Sequence, residues 1–334
     1  MTFFAYRVNK TDNGMVAGWC EQERDQLPAG EVEIEVHYSS VNYKDALSAN
    51  GNKGVTREFP HTPGIDAAGV VVSSDVEAWH SGDEVVVFGY DLGMNTAGGF
   101  AQRIRVPAAW VLRKPEGISL AECMAWGTAG FTAALSVQKL ERSGIRPNNG
   151  PILVTGATGG VGSVAVALLA KLGYHVVALS GKADQTEFLL RLGAGRVIAR
   201  EDAMTGLGKA MMRPQYQAVV DTVGGDLVSA LIPQIQPEGA IATCGMIAGT
   251  DINASVFPFI LRGISLLGVD SVEIAVDHKQ AILDAVATEW QLPMLSTLTT
   301  DIMPKQLPEV LSAILAGQGV GRYRLCLLNA FADE

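Results

Sequence analysis

Hydrophobic and polar positions change rhythm twice along the chain. Glu31–His37 alternates Val32, Ile34 and Val36 with Glu31, Glu33 and Glu35. A period of two marks a strand with one buried face, so these glutamates are expected to point outward. Short β-branched runs follow at Ala67–Val72 and Glu84–Phe88, separated by the turn Ser81-Gly82-Asp83, with bends at Gly89 and Gly93. Gly98-Gly99-Phe100-Ala101 leads into a further strand, Gln102–Val106. Short strands punctuated by glycine and proline predict a partly open barrel in the first third of the chain.

From about residue 120 the pattern becomes helical and then alternates. Ser119 and Glu122 form a capping-box signature, and the helical pattern continues over Gly127–Leu140. Apolar strands at Ile152–Thr155, Tyr174–Leu179, Arg196–Ala199, Tyr216–Asp221 and Gly239–Cys244 are separated by helices at Val161–Leu172, Asp184–Leu192 and Leu227–Ile235. Strands that are apolar throughout and alternate with helices predict a parallel sheet covered on both faces. The tail changes again, with amphipathic helices at Asp277–Thr288 and Leu307–Leu315 and a closing strand at Gly321–Leu328. The expected organisation is a nucleotide-binding domain, 126–269, inserted into a discontinuous β-rich domain formed by 1–125 and 270–334. No internal repeat interrupts this plan.

Composition narrows the class. The chain has 334 residues, 48% hydrophobic and 18% charged, which suffices for two buried cores. Its formal charge of −10 is the wrong sign for general binding to phosphate backbones, so no nucleic-acid partner is expected. No apolar run reaches the ~18 residues of a membrane span, and Met1–Lys10 lacks a secretory pattern, so a cytoplasmic protein is expected. Cys20, Cys123, Cys244 and Cys326 lie more than 80 residues apart, and the five histidines are scattered. That spacing fits neither a zinc knuckle nor a disulfide framework.

The most informative segment is Thr155-Gly156-Ala157-Thr158-Gly159-Gly160-Val161-Gly162, lying where a strand ends and a helix begins. Aligned on G-x-G-x-x-G it reads Ala157-x-Gly159-x-x-Gly162, with the first glycine replaced. Gly159 allows close approach to a pyrophosphate, Gly162 allows tight packing of helix on strand, and the helix N-terminus offers free N–H donors. Specificity depends on the end of the next strand, where NAD requires a carboxylate for the ribose 2′-hydroxyl. Here stand Ser180, Gly181 and Lys182, and the following strand ends at Arg200. A hydroxyl and two cations suit a 2′-phosphate, so NADPH is the expected cofactor.

Several segments carry a family resemblance. Val41-Asn42-Tyr43-Lys44-Asp45-Ala46, Pro63-Gly64-Ile65-Asp66-Ala67-Ala68-Gly69, Gly98-Gly99-Phe100-Ala101, Gly127–Ala133, Pro258–Arg262 and Gly268-Val269-Asp270-Ser271 resemble the medium-chain dehydrogenase/reductase superfamily. Within it they are most similar to the quinone-oxidoreductase-like branch that contains the bacterial NADPH-dependent acryloyl-CoA reductases. The resemblance implies an α/β fold in which a Rossmann doubly wound parallel sheet is inserted in a discontinuous, GroES-like catalytic domain. It also implies what is missing. Zinc alcohol dehydrogenases of this superfamily carry a ligand cysteine in the stretch matching Asn42–Asp45 and Gly-His-Glu at Gly64-Ile65-Asp66. They also carry a four-cysteine lobe near residues 90–115, where this chain has no cysteine. No metal is expected.

The implied chemistry is hydride addition to a carbon–carbon double bond conjugated to a carbonyl, whose enolate oxygen needs only oriented hydrogen-bond donors. The resemblance places Tyr43 at the nicotinamide, Asn42 and Asp45 in the same cleft, and Thr128 close by. Tyr43 either packs on the ring or donates to the carbonyl oxygen. Asp45 either steers a proton relay or starts a helix. The resemblance further places Ser180, Gly181, Lys182, Arg200 and Arg322 around the 2′-phosphate and adenosine. Thr158, Gly159, Gly160 and Val161 fall at the pyrophosphate, and Met246, Ile260 and Ser271 along the nicotinamide half. For a CoA thioester, Lys53, Arg57 and Arg103 are candidate phosphate contacts. The implied reaction is reduction of acryloyl-CoA to propanoyl-CoA, with quinones or small enones as the alternative substrates and non-catalytic NADPH binding as a third reading. Ser265–Val269, an apolar strand expected near a sheet edge, suggests a homodimer.

Overall fold

The computed structural model describes residues 2–332. It divides the chain into two compact units, Met1–Thr128 with Val272–Glu334, and Ala129–Ser271.

The first unit is built on a seven-stranded sheet. In order, its strands are Thr299–Ile302, Arg322–Cys326, Val32–Val41, Asp66–Ser74, Glu84–Phe88 and Val111–Arg113, and Arg103–Val106 also pairs with Val32–Val41. A hairpin, Thr2–Thr11 with Gly14–Glu23, precedes it. Val32, Ile34, Val36, Val85, Val87, Ile104, Val106 and Leu325 share one apolar core.

The pairing of Val32–Val41 with Asp66–Ser74 is irregular between Glu33 and Ile34 and between Val36 and Tyr38, but its pairing with Arg103–Val106 is regular, and Val32, Ile34 and Val36 share the core. Glu33 lies on the face away from that core, as its spacing suggests, yet it is buried there under arginines. Its buried carboxylate accepts hydrogen bonds from Arg24 Nε (2.9 Å), Arg103 Nη1 (3.1 Å) and Arg105 Nη2 (3.1 Å). Burial pushes its pKa up, but these hydrogen bonds more than offset that and hold it below the ordinary value. Beyond the second irregularity, Ser39, Ser40, Val41 and Asn42 are all buried. The closing strand pairs antiparallel with this run, Tyr323 opposite Val41, which brings Arg322 to the level of Asn42.

The second unit is a six-stranded parallel sheet. Its order is Arg196–Ile198, Val176–Leu179, Ile152–Val154, Tyr216–Asp221, Ile235–Thr243 and Ser265–Gly268. The chain starts at the centre, proceeds to one edge, and returns to build the other half. Ile152–Val154 and Tyr216–Asp221 therefore flank the switch point, where the carboxyl ends of doubly wound sheets bind ligands. Leu153, Val177, Leu179, Val219, Leu227, Leu231 and Ile241 form the core of one face.

The helical segment Leu120–Arg142 carries the chain from one unit into the next. Its start follows the expected box: Ser119 Oγ accepts from Glu122 N (3.1 Å), and Ser119 N donates to Glu122 Oε2 (2.8 Å). It breaks at Gly127, whose φ of 50° and ψ of −167° are open essentially to glycine alone.

Candidate functional site

In the second unit the turn after Ile152–Val154 has the geometry its glycines suggest, with one change. Gly156, not Ala157, makes the tight bend, at φ 56° with Thr222 Oγ1 pressed against the place of a Cβ. The first glycine of the fingerprint is shifted by one residue rather than lost. A Cβ at Gly162 would overlap the Gly156 carbonyl oxygen, so helix and turn touch there through backbone. Gly159 caps the helix Gly160–Lys171 with no side-chain cap, so Gly160, Val161 and Gly162 present N–H groups at its open end. Buried Thr158 lies within the turn.

A residue not singled out from the sequence fastens this turn. The buried Asp221 carboxylate accepts from Thr155 Oγ1 (2.8 Å), Thr243 Oγ1 (2.8 Å) and Gly224 N (3.0 Å). Thr155 Oγ1 in turn accepts from Thr222 N (2.9 Å). One carboxylate thus ties three strand ends together beneath the ligand face. Next to it lies a cavity of about 330 Å³ lined by Gly224, Gly225, Thr243, Cys244 and Met246 among others. An acid terminating the apolar strand Tyr216–Asp221 was the available sequence signal.

The residues expected at the 2′-phosphate, Arg322 apart, come together. Leu179 pairs with Ile198, so Ser180-Gly181-Lys182 and Arg200 leave neighbouring strand ends. Ser180 Oγ accepts from Lys182 N (2.9 Å), and Gly181 has open space around its Cα. Burial lowers the Lys182 pKa, opposed by Asp184, while Arg200 is exposed. Elsewhere in this unit Met246 and Ile260 are 68% and 72% exposed. Ser271, largely buried, forms a 2.8 Å hydrogen bond with Thr132 Oγ1.

In the first unit a buried polar cluster gathers four of the expected residues. Asn42 caps the helix Tyr43–Ala49, and Asp45 closes a capping box by accepting from Asn42 N (2.7 Å). The other Asp45 oxygen accepts from Ile65 N (2.8 Å). Both Asp45 oxygens are thus held by backbone N–H groups, and the residue has no exposed surface. Half-buried Tyr43 occupies the first helical position.

Asp66, also fully buried, is the hub that residue-by-residue reading missed. Its carboxylate accepts from Ser40 Oγ, from Asn42 Nδ2 (2.9 Å), and from both the N–H (2.8 Å) and the hydroxyl of Thr128. A carboxylate opening the otherwise apolar strand Asp66-Ala67-Ala68-Gly69-Val70-Val71-Val72 was the clue.

Arg322, expected near the 2′-phosphate, lies in the same buried cluster. It is 2% exposed, its Nε donates to Ala125 O (3.0 Å), its Nη1 donates to Asn42 Oδ1 (3.4 Å), and its Nη2 has no hydrogen-bond partner. Burial lowers its pKa to about 10, against the raising effect of Asp66 and Asp45. The guanidinium lies beside two buried carboxylates and acts as their counter-charge. Arg103 is likewise committed, to Glu33.

Comparison with known proteins fixes the family. Residues 28–116 match the family described as "Alcohol dehydrogenase GroES-like domain" and residues 160–287 that described as "Zinc-binding dehydrogenase". "Putative quinone oxidoreductase YhfP" of Bacillus subtilis is 43% identical over 89% of this chain and 91% of its own length. "Acrylyl-CoA reductase AcuI" of Ruegeria pomeroyi is 40% identical over 89% and 90%. The chain belongs to the medium-chain dehydrogenase/reductase superfamily. Among solved members, the yhdH oxidoreductase of Salmonella enterica, in complex with NADP, matches at a TM-score of 0.94 and 38% identity over 97% of this chain and 99% of that one. The α/β fold with a GroES-like domain and a Rossmann-type sheet is therefore that of the superfamily.

The residues here do not fit the superfamily's zinc. Among the described residues no group of three or more His, Cys, Asp or Glu could hold a metal ion. At the matching positions Ile65 offers only hydrocarbon, and the Asn42 amide is engaged by Asp66 and Arg322. The residues do fit a dinucleotide: an open helix N-terminus for pyrophosphate, with a hydroxyl and two cations at adjacent strand ends.

Proposed function

We propose that this medium-chain reductase uses NADPH, without zinc, to reduce the double bond of a 2-enoyl thioester, acryloyl-CoA giving propanoyl-CoA. The observation that carries the cofactor reading is the convergence of Ser180, Lys182 and Arg200 at neighbouring strand ends with no acid at the end of Val176–Leu179. A carboxylate there would repel a 2′-phosphate, whereas this set donates hydrogen bonds and positive charge to it. Gly159–Val161 cradle the pyrophosphate, and the neutral pocket at Met246 receives the other half. The substrate class rests on similarity to a protein named for acrylyl-CoA reduction.

When bound, the coenzyme supplies a hydride to the β-carbon of the alkene. The chain's own part is orientation and charge. With no zinc ligands, and with the Asn42 donors taken by Asp45, Asp66 and Ser40, stabilisation of the enolate oxygen falls to Tyr43 at the helix start, and a proton reaches the α-carbon from solvent or a side chain. Asp45 holds the helix start in place rather than carrying that proton.

A second reading, reduction of quinones or small enones without CoA, is favoured by one observation. Of the three candidate phosphate contacts, Arg103 is paired with Glu33, and Lys53 and Arg57 are merely exposed. NADPH oxidation with acryloyl-CoA, measured against quinones and free enones, decides between them. The thioester should show the higher kcat/KM, and parity would sink the CoA reading.

The protein is proposed to act in the cytoplasm as a homodimer. Among the described residues no helix is long and apolar enough to cross a membrane, and the four cysteines are free. The strand Ser265–Gly268 leaves one edge of the parallel sheet unpaired.

A further inference from the structure

The two buried carboxylates of the first unit interlock. Asp45 holds the backbone N–H groups of Asn42 and Ile65, and Asp66 holds the side chain of Asn42 and both donors of Thr128. Asn42 is thereby fixed at main chain and side chain at once. Its amide nitrogen faces Asp66 and Ser40 Oγ (3.0 Å), and its oxygen faces Arg322. The break at Gly127 belongs to the same assembly. It leaves Ala125 O to accept from Arg322 and Thr128 N to donate to Asp66, two groups that an unbroken helix would have used internally. A Cβ at Gly127 would lie 2.7 Å from Arg322 Nη2.

Packing alone does not explain so many buried polar groups, since apolar residues of similar volume often serve stability as well or better. The donors on Asp66 come from two separate places in the chain, the end of Val32–Val41 and the Gly127 break. Both carry residues that the reductase reading assigns to the reaction. We propose that Asp66 is a positioning residue for the reduction: held by Ser40 and balanced by Arg322, it sets Asn42, the helix start bearing Tyr43, and Thr128. This rests on the reductase reading above.

The test is a double-variant cycle of Asp66→Asn, Arg322→Met and both together, in the full chain. Arg322→Met leaves the buried Asp66 carboxylate without its counter-charge, and Asp66→Asn removes the acceptor shared by Ser40, Asn42 and Thr128, so each lowers the melting temperature. At pH 6, where burial keeps Asp45 protonated, the double variant removes the remaining charge pair and should recover to within about 3 °C of wild type. A purely structural role would restore turnover along with stability. A positioning role leaves kcat down about tenfold or more in the double variant, with KM for NADPH within about threefold. Hydrogen exchange without coenzyme gives a readout independent of activity: amides of Tyr43–Ala49 should exchange about tenfold faster in the double variant, with the second unit unchanged. Should Asp66→Asn not fold, Thr128→Val preserves the charge balance, removes one bond to Asp66, and should still lower kcat. Recovery of both kcat and exchange in the double variant, or an unaltered kcat in Thr128→Val, would overturn the positioning role alone. A wild type that reduces no activated alkene would overturn the reductase reading and this role with it.

Discussion

In the proposed reading Lys182 and Arg200 carry the coenzyme choice, and the choice can be measured one phosphate at a time. Lys182→Ala with Arg200→Ala should weaken NADPH by about 10²-fold or more and leave NADH within about threefold, since each charge-assisted contact is worth roughly 1.5–3 kcal/mol. Equal losses would place the 2′-phosphate elsewhere, a live contrast because the yhfP structure of Bacillus subtilis, at a TM-score of 0.95 and 40% identity over 98% of this chain, has NAD bound. Asp45 offers a second measurement. Burial, then the charge of Asp66, pushes its carboxyl up to about 7, against the hydrogen bonds from Ile65 and Asn42. The folded state therefore keeps a proton that the unfolded chain releases near pH 4. This contribution to stability is complete below about pH 4 and declines as pH rises to about 7, at up to ~1.4 kcal/mol per pH unit. Urea titrations from pH 4.5 to 8 should show that decline in wild type and a flatter profile in Asp45→Asn, which is less stable overall because an amide cannot accept both backbone bonds. Parallel profiles would remove Asp45 as the source. The placement of Ser180, Lys182 and Arg200 at neighbouring strand ends was readable from sequence because a strand end is a local feature. The buried contacts of Arg322 were not legible, because its partners Asn42 and Ala125 lie far away in the chain and only strand register brings them near.

Elements show the same division between local and distant causes. The box at Ser119–Glu122, the strand Tyr216–Asp221 and the helix Leu307–Leu315 match their sequence signals, because caps and periodicity are short-range. The alternation over Val32–Val41 places Glu33 on the right face but does not foretell its burial, which comes from three arginines of other segments. Gly127 misleads more deeply: a glycine in a helical pattern reads as tolerated, yet here it is the break itself. Gly127→Ala forces a Cβ toward Ser40 and Arg322 in a backbone conformation alanine avoids, and should cost about 2–4 kcal/mol. Gly117→Ala is the control, with φ of 87° but its nearest neighbour at 3.8 Å, and should cost about 1 kcal/mol. Equal losses in urea unfolding would mean that backbone conformation, and not contact with the buried cluster, makes glycine necessary at 127.

At the scale of the whole molecule, the inserted sheet leaves Ser265–Gly268 with one side unpaired. Native proteins seldom leave such an edge bare without charge, proline or a covering segment. Leu266 on that strand is exposed, as are Val256, Phe257 and Leu261 from the segment just before it. Apolar side chains grouped beside an open edge mark an interaction surface. A second copy, related by a two-fold axis, satisfies both at once, since the edge pairs with itself and the same apolar patch meets its own image. Light scattering on the wild type should therefore give about twice the chain mass of 35.3 kDa. Leu261→Lys with Leu266→Lys places like charges opposite each other across the axis and should return the mass to that of one chain. Tryptophan emission and the NADPH dissociation constant, measured on the same variant, separate loss of the interface from loss of the fold. A wild type of 35.3 kDa removes the dimer. A variant that stays double-sized moves the interface to another face.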